Sequence, residues 1–169
     1  KCLDKQLNDG DHILDIGGGD GELINLLFQR RSNLKVTMLD LKSDIGRSVD
    51  PAYKANLTLL PETELKDVKG KLDVILLSDV IHHIPIEYRT QFLSEVIEKL
   101  RSDADRLLIK DVEPKGVRAK LGYLSDVYIS GDKNVELISR EQLTTTLKSI
   151  NANISSTETD LYDKDQPNY

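Results

Sequence analysis

The stretch "HILDIGGGDGEL", His12 to Leu23, joins an apolar run to three consecutive glycines and flanks them with carboxylates. A glycine-rich turn after a strand lets a ligand's polar groups approach bare backbone, and the charges around it select the ligand. A dinucleotide turn requires G-x-G-x-x-G, so that a pyrophosphate can sit on the N-terminus of the next helix. Gly17 and Gly19 fit that spacing, but its third position is Glu22. Asp20 and Glu22 also stand where the diphosphate would approach. A like-charge contact at about 4 Å costs on the order of 4 kcal/mol at an effective dielectric of about 20. No Gly-Lys-Ser/Thr follows, so a phosphate-binding P-loop fails as well. The turn suits a cation.

Two further stretches hold residues of the right type for chemistry. Asp40 closes "VTMLDL", 19 positions after Gly21, about the distance at which an acid meets a ribose diol in this kind of architecture. Its plainer role would be a helix cap. "LDVILLSDVIHHIP", Leu72 to Pro85, brings Ser78, Asp79, His82 and His83 together just past a candidate strand. Adjacent histidines point in different directions on a helix, so at most one faces a substrate, and either one fits the plainer role of a satisfied core imidazole. For the same reason they form a poor metal pair, and no metal site is expected.

These residues need a scaffold, and the apolar pattern supplies one. Strand-length runs recur at His12–Ile16, Lys35–Leu41, Leu57–Leu60, Leu72–Ser78 and Arg106–Val112, dense in Ile, Val and Leu as parallel strands buried on both faces should be. Between them, Gly21–Arg31 and Ile86–Arg101 carry apolar residues at helical spacing, the second with Pro85 near its start. Ser139-Arg140-Glu141-Gln142 reads as a capping box that opens a helix to about Ile150. The alternation predicts an α/β fold: a Rossmann-like, doubly wound, mostly parallel sheet with helices on both faces. Residues 113–138 break the alternation and are read either as a substrate cover or as a structural helix, Arg118–Ile129, on the sheet edge. Asn153–Tyr162 is patterned as one more strand whose antiparallel partner, missing or truncated, would follow Tyr169.

Bulk properties set the outer limits. The 169 residues suit one domain, 1–169, and the start at Lys1 without methionine is what a piece of a longer protein would show. With 23 Lys+Arg against 29 Asp+Glu, the formal charge of −6 disfavours a general polyanion binder. Two Phe and no Trp give few stacking platforms for nucleic-acid bases. No apolar run reaches the ~18 residues of a membrane span. The single Cys2 and the lack of a signal pattern suggest a cytoplasmic chain.

Four ordered motifs resemble class I S-adenosylmethionine-dependent methyltransferases of the small-molecule type. They are Asp15-x-Gly17-x-Gly19-x-Gly21 after the first strand, Asp40 at the end of the second, the Leu72–Pro85 stretch, and "LLIKDVEP", Leu107 to Pro114. The resemblance runs from His12 to about Tyr162. It implies S-adenosyl-L-methionine as cofactor, whose sulfonium and ammonium match the acidic turn and which has no phosphate. The implied cofactor residues are Asp15, Gly17, Gly18, Gly19, Gly21, Asp40, Leu41 and Ser78, with Asp40 accepting hydrogen bonds from both ribose hydroxyls. His83, His82 and Asp79 are the implied candidates for a general base toward a small-molecule acceptor, and the histidines favour O-methylation. One departure concerns adenine. Many relatives have an acid after the third strand, whereas here the stretch is "LTLLPETEL", leaving Glu62 or a backbone group near Leu60 for that contact. A non-catalytic cofactor-binding or regulatory domain of a larger protein is the alternative, and an NAD-linked oxidoreductase a weaker one. Attachment to further domains, or a homodimer, is compatible with either.

Overall fold

The computed structural model describes residues 3–70, 72–100, 102, 105–111 and 136–151. Five strands form one parallel sheet: β1 His12–Ile16, β2 Lys35–Asp40, β3 Leu57–Pro61, β4 Val74–Ser78 and β5 Arg106–Lys110, in the order β3-β2-β1-β4-β5. The order reverses between β1 and β4, and in open α/β sheets the crevice at such a point, beyond the carboxyl ends of the strands, receives ligands. Among the described residues three helices cover the sheet: α1 Glu22–Arg30, α2 Ile86–Glu98 and α3 Arg140–Ile150. The expected doubly wound α/β architecture is therefore present.

Side-chain alternation along the strands separates two cores. On one face Ile13, Val36, Met38, Val74 and Leu76 pack against Ile24, Leu27 and Phe28 of α1. On the other, Leu14, Leu39, Ile75 and Leu77 meet Leu93 and Val96 of α2, with Leu143, Leu147 and Ile150 of α3 at its margin. Parallel strands covered on both faces explain why these runs are continuously apolar.

The strands end where their side chains find other work. The run starting at Leu72 pairs only from Val74, because the Asp73 carboxylate accepts the His12 N–H at 2.9 Å. β5 ends at Lys110, and Asp111 turns its carboxylate onto the amides of Ile81 and His82 at 3.1 and 3.3 Å. α2 closes at Glu98, short of Arg101, where Lys99 and Leu100 donate to the carbonyls of Val96 and Ile97 in a tightened last turn. The capping box of α3 forms as read: Ser139 Oγ accepts from Gln142 N–H while the Gln142 side chain accepts from Ser139 N–H. Four short 3-10 turns, Leu3–Gln6, Pro51–Asn56, Leu65–Asp67 and Ile81–His83, carried no periodic signal. Residues 113–135 of the expected cover and the strand expected at Asn153–Tyr162 lie outside the described residues.

Candidate functional site at the β1–β4 crevice

Strand register brings the candidate residues to one edge. Asp15 lies level with Met38 and Leu76, and side-chain alternation sends it to the α1 face. Two positions further along, beyond the paired Ile16, Leu39 and Leu77, the next rank holds Gly17, Asp40 and Ser78, with Lys110 beside Ser78 and Pro61 beside Asp40. Asp40, Ser78 and Lys110 thus share the face of Asp15. The glycine turn and the start of α1 sit over this edge.

Inside the turn the four glycine amides already have protein acceptors. Gly17 and Gly18 N–H donate to the Leu39 carbonyl at 2.7 and 3.4 Å, and Gly21 N–H donates to Gly18 at 3.0 Å. Asp40 Oδ2 accepts from Gly19 N–H at 3.0 Å, while its Oδ1 accepts from Lys42 N–H at 3.0 Å. Asp20 Oδ1 accepts from Glu22 N–H at 3.1 Å, and Ser48 Oγ donates to its other oxygen. Asp20 therefore places a carboxylate on the first amide of α1, at the helix end that a dinucleotide fold would offer to pyrophosphate. A diphosphate would have to displace carboxylates here.

The glycines are required by close approach. Gly17 has φ 72°, and a Cβ there would stand 2.6 Å from Val80 Cγ2, so the turn after β4 packs directly on the turn after β1. Gly21 has φ 84°, and its Cβ would meet Val49 at 2.6 Å and the Gly46 backbone at 3.1 Å. Gly19 differs: a Cβ there would meet nothing within 4 Å, which marks the open side of the turn.

Asp15 is the electrostatic anomaly of the site. Its residue is 3% exposed, and its carboxylate accepts no hydrogen bond among the described residues. Its Oδ2 and Met38 Cε both lie close beneath Gly18. Burial first, and then the nearby Asp40 carboxylate, push its pKa from 3.8 to about 7.

The turn after β4 is held by one ion pair, Lys110 with Asp79, and one histidine–carboxylate contact, His82 with Asp111. Asp79 adopts the left-handed conformation at φ 58°, strained for a non-glycine residue, and is fixed there by Lys110 Nζ, by Ser78 Oγ at 3.1 Å and through its own N–H to the Lys110 carbonyl at 2.8 Å. His82 is buried, and its Nδ1 lies 2.6 Å from Asp111 Oδ1 with both side chains nearly sealed, at 3% and 6% exposure. Facing a carboxylate, Nδ1 is the ring nitrogen placed to donate. His83 is exposed, its ring centroid 4.1 Å from that of His82. The two rings do part company, one inward and one outward.

Of the sequence candidates, the structure brings Asp15, Gly17, Gly18, Gly19, Gly21, Asp40 and Ser78 to one edge, with Asp79, His82 and His83 on the adjoining turn. Leu41, next to Asp40, is 78% exposed, an apolar side chain left open at the ligand edge. Glu62, at φ 51°, is the other strained non-glycine residue, and it follows β3 beside Asp40. Among the described residues no group of three or more His, Cys, Asp or Glu side chains could hold a metal ion, and no helix is long and apolar enough to cross a membrane. Sequence reading missed the pairing of Asp111 with His82, 29 positions apart, and the buried Arg89, which donates to the carbonyls of Ile84 and Glu136. Only the placement of "KD" at the end of an apolar run hinted at the first. A buried arginine on a helix carries no local signal at all.

The fold is that of a Rossmann-like domain with a carboxylate-flanked glycine turn at its β1–β4 crevice. The family described as "Methyltransferase domain" matches residues 14–105, more than half of the chain, and the chain belongs to that family. It is similar to the O-methyltransferase kk1A of Curvularia clavata, 25% identical over 111 residues that make up 63% of this chain and 26% of that protein. A 3'-hydroxy-N-methyl-(S)-coclaurine 4'-O-methyltransferase of Papaver somniferum is 28% identical over 60% of this chain and 28% of its own length. The chain spans about a quarter of these curated relatives. Among solved structures, the O-methyltransferase NcsB1 of neocarzinostatin biosynthesis, in complex with S-adenosyl-L-homocysteine and 1,4-dihydroxy-2-naphthoic acid, superposes with a TM-score of 0.70 at 18% identity. That match covers 88% of this chain and 46% of NcsB1, and it establishes the shared fold.

Proposed function

We propose that this chain is the donor-binding and catalytic part of an S-adenosyl-L-methionine-dependent O-methyltransferase acting on a small hydroxylated acceptor. One observation carries the reading. Every glycine amide of the turn already has a protein acceptor, while two carboxylates, Asp15 and Asp40, share the face beneath and beside it. Such a site rejects phosphate and favours a cationic nucleoside. The ligands bound to NcsB1 and the small-molecule acceptor in the name of the Papaver somniferum relative agree with it.

In this reading Asp40 receives the ribose hydroxyls, exposed Leu41 covers one side of the adenine, and Glu62 is positioned for its edge. Gly19 gives the amino-acid end its approach, with Asp15 below and Ser78 across the crevice. The bound donor supplies an electrophilic methyl group on a sulfonium. The protein's part is to align acceptor oxygen, methyl and sulfur, to exclude water and to remove the acceptor's proton. His82 is the base best supported by geometry, because Asp111 orients it and stabilises its protonated form. Asp79 is committed to Lys110, and exposed His83 sits beside His82 as the second candidate. The single cysteine fits a reducing, cytoplasmic setting. Since the chain spans about a quarter of its curated relatives, we include further domains or a second copy as what completes the acceptor side.

Calorimetric titration with S-adenosylhomocysteine tests the donor site. Wild type should bind, and Asp40→Asn, which can still accept the Gly19 hydrogen bond, should bind at least tenfold more weakly. Wild type that binds no S-adenosylhomocysteine ends the proposal. His82→Gln should keep donor affinity and lower turnover of a hydroxynaphthoate or catechol acceptor by about 10²–10⁴-fold, the usual contribution of a general base. Retained donor binding with no methyl transfer by wild type to any hydroxylated acceptor would favour a regulatory cofactor-binding domain instead.

A further inference from the structure

We infer that Asp15 is a neutral carboxylic acid in the ligand-free protein at mildly acidic pH and that donor binding expels its proton there, so that the site acquires its charge together with its ligand. The inference rests on the donor site proposed above and adds its proton chemistry.

The geometry leads to it directly. Asp15 sits at the end of the central strand, roofed by Gly18, with Met38 on one side and Leu76 on the other. An ionised carboxylate needs donors or a counter-charge in such surroundings, and no described residue gives Asp15 a hydrogen bond. The charged groups on its face come from three strands. β2 presents Asp40, which repels a second negative charge and is itself bound to the amides of Gly19 and Lys42. β4 presents apolar Leu76 and then Ser78, whose hydroxyl is turned to Asp79. β5 presents Lys110, two strands away and engaged with Asp79. The α1 residues packed on this face, Ile24, Leu27 and Phe28, are apolar, and Asp20 at the start of the helix is turned to Glu22 N–H and Ser48. Nothing in the ligand-free site compensates a charge on Asp15.

A ligand carrying an ammonium or sulfonium over the open side of the glycine turn reverses the balance. An opposite charge within about 4–6 Å favours the ionised carboxyl by about 1–3 pH units, and exclusion of water strengthens the effect. The proton leaves Asp15 for solvent, and the carboxylate left behind pairs with the cation. Starting from a free-state value of about 7, the release falls in the physiological range. At pH 6 about 0.4–0.9 of a proton should leave per ligand bound, whereas at pH 8.5 almost none should, because the acid is already ionised. Affinity should be up to about tenfold weaker at pH 6 than at pH 8, the cost of removing that proton.

The test is calorimetry with S-adenosylhomocysteine at pH 6 and pH 8.5, each in two buffers of different ionisation enthalpy, so that protons released per binding event are counted. The expected result is a release of about 0.4–0.9 at pH 6 and below about 0.2 at pH 8.5. Asp15→Asn, of the same shape and uncharged, should release no proton at either pH and lose the pH dependence of affinity. Should that variant fail to fold, the carboxyl ¹³C shift of Asp15 in wild type at pH 6, with and without ligand, reads the same event directly. Binding by wild type at pH 6 without proton release, or release that persists in Asp15→Asn, overturns the inference and leaves the proposed function standing. Absence of binding at both pH values overturns the proposed function, and this inference with it.

Discussion

Asp15 lowers the stability of the ligand-free protein, and the sign can be worked out. Its folded-state pKa, about 7, lies above the ordinary 3.8 because of burial and then Asp40. Between those values the native state binds more protons than the unfolded one, so stability falls as pH rises from about 4 to 7 and stays lower above it. A shift of about three units corresponds to at most about 4 kcal/mol. Asp15→Asn should therefore raise the melting temperature of the ligand-free protein at pH 8 by roughly 5–10 °C and change it little at pH 4. Melting curves of both proteins across that range check this, and a variant less stable than wild type at pH 8 would contradict it. A residue so unfavourable in the fold's own terms has its explanation at the site. The left-handed Asp79 belongs to the same class: its strain is borne by Lys110 and Ser78 at the turn that carries His82.

At the scale of elements, what was legible in the sequence was whatever depends on local pattern. The five strands and three helices follow from apolar periodicity, and the glycine turn from spacing alone. The box at Ser139 follows from side-chain reach across three residues. What was not legible depends on partners far along the chain. β5 stops at Lys110 because Asp111 is needed by the amides of the Ile81–His83 turn, and β4 starts late because Asp73 caps His12. The site divides in the same way. Asp15, Asp40 and the glycines could be named from spacing, while the anchoring of His82 by Asp111 required the fold to place two adjacent strand ends together. The capping box gives an element-level prediction with no functional component. Ser139→Ala leaves the Gln142 N–H without its side-chain acceptor and should cost about 1 kcal/mol, lowering the melting temperature by roughly 2–4 °C. α3 packs on α2, away from the glycine turn, so affinity for S-adenosylhomocysteine should be unchanged. A loss of affinity would place α3 in the donor site.

For the whole molecule, the decisive feature is that the edge proposed to take the ligand is assembled from two halves of the sheet. Asp15, the glycine turn and Asp40 come from β1 and β2, Ser78 and Asp79 from β4, and the halves meet where the Gly17 turn packs on Val80. A ligand spanning this crevice binds the folded state alone, since no unfolded segment holds both groups of residues. It should therefore stabilise the molecule by mass action, by about 2.7 kcal/mol at a concentration one hundred times its dissociation constant, and raise the melting temperature by roughly 5–10 °C. Because both halves contribute contacts, hydrogen exchange in the presence of S-adenosylhomocysteine should slow at Gly17–Glu22 and at residues 78–83 together, while α3 exchanges as before. Protection of the glycine turn without the turn after β4 would mean a ligand confined to β1 and β2. In that case the donor's reactive end would lie away from His82, and the catalytic assignment would have to move to another part of the molecule.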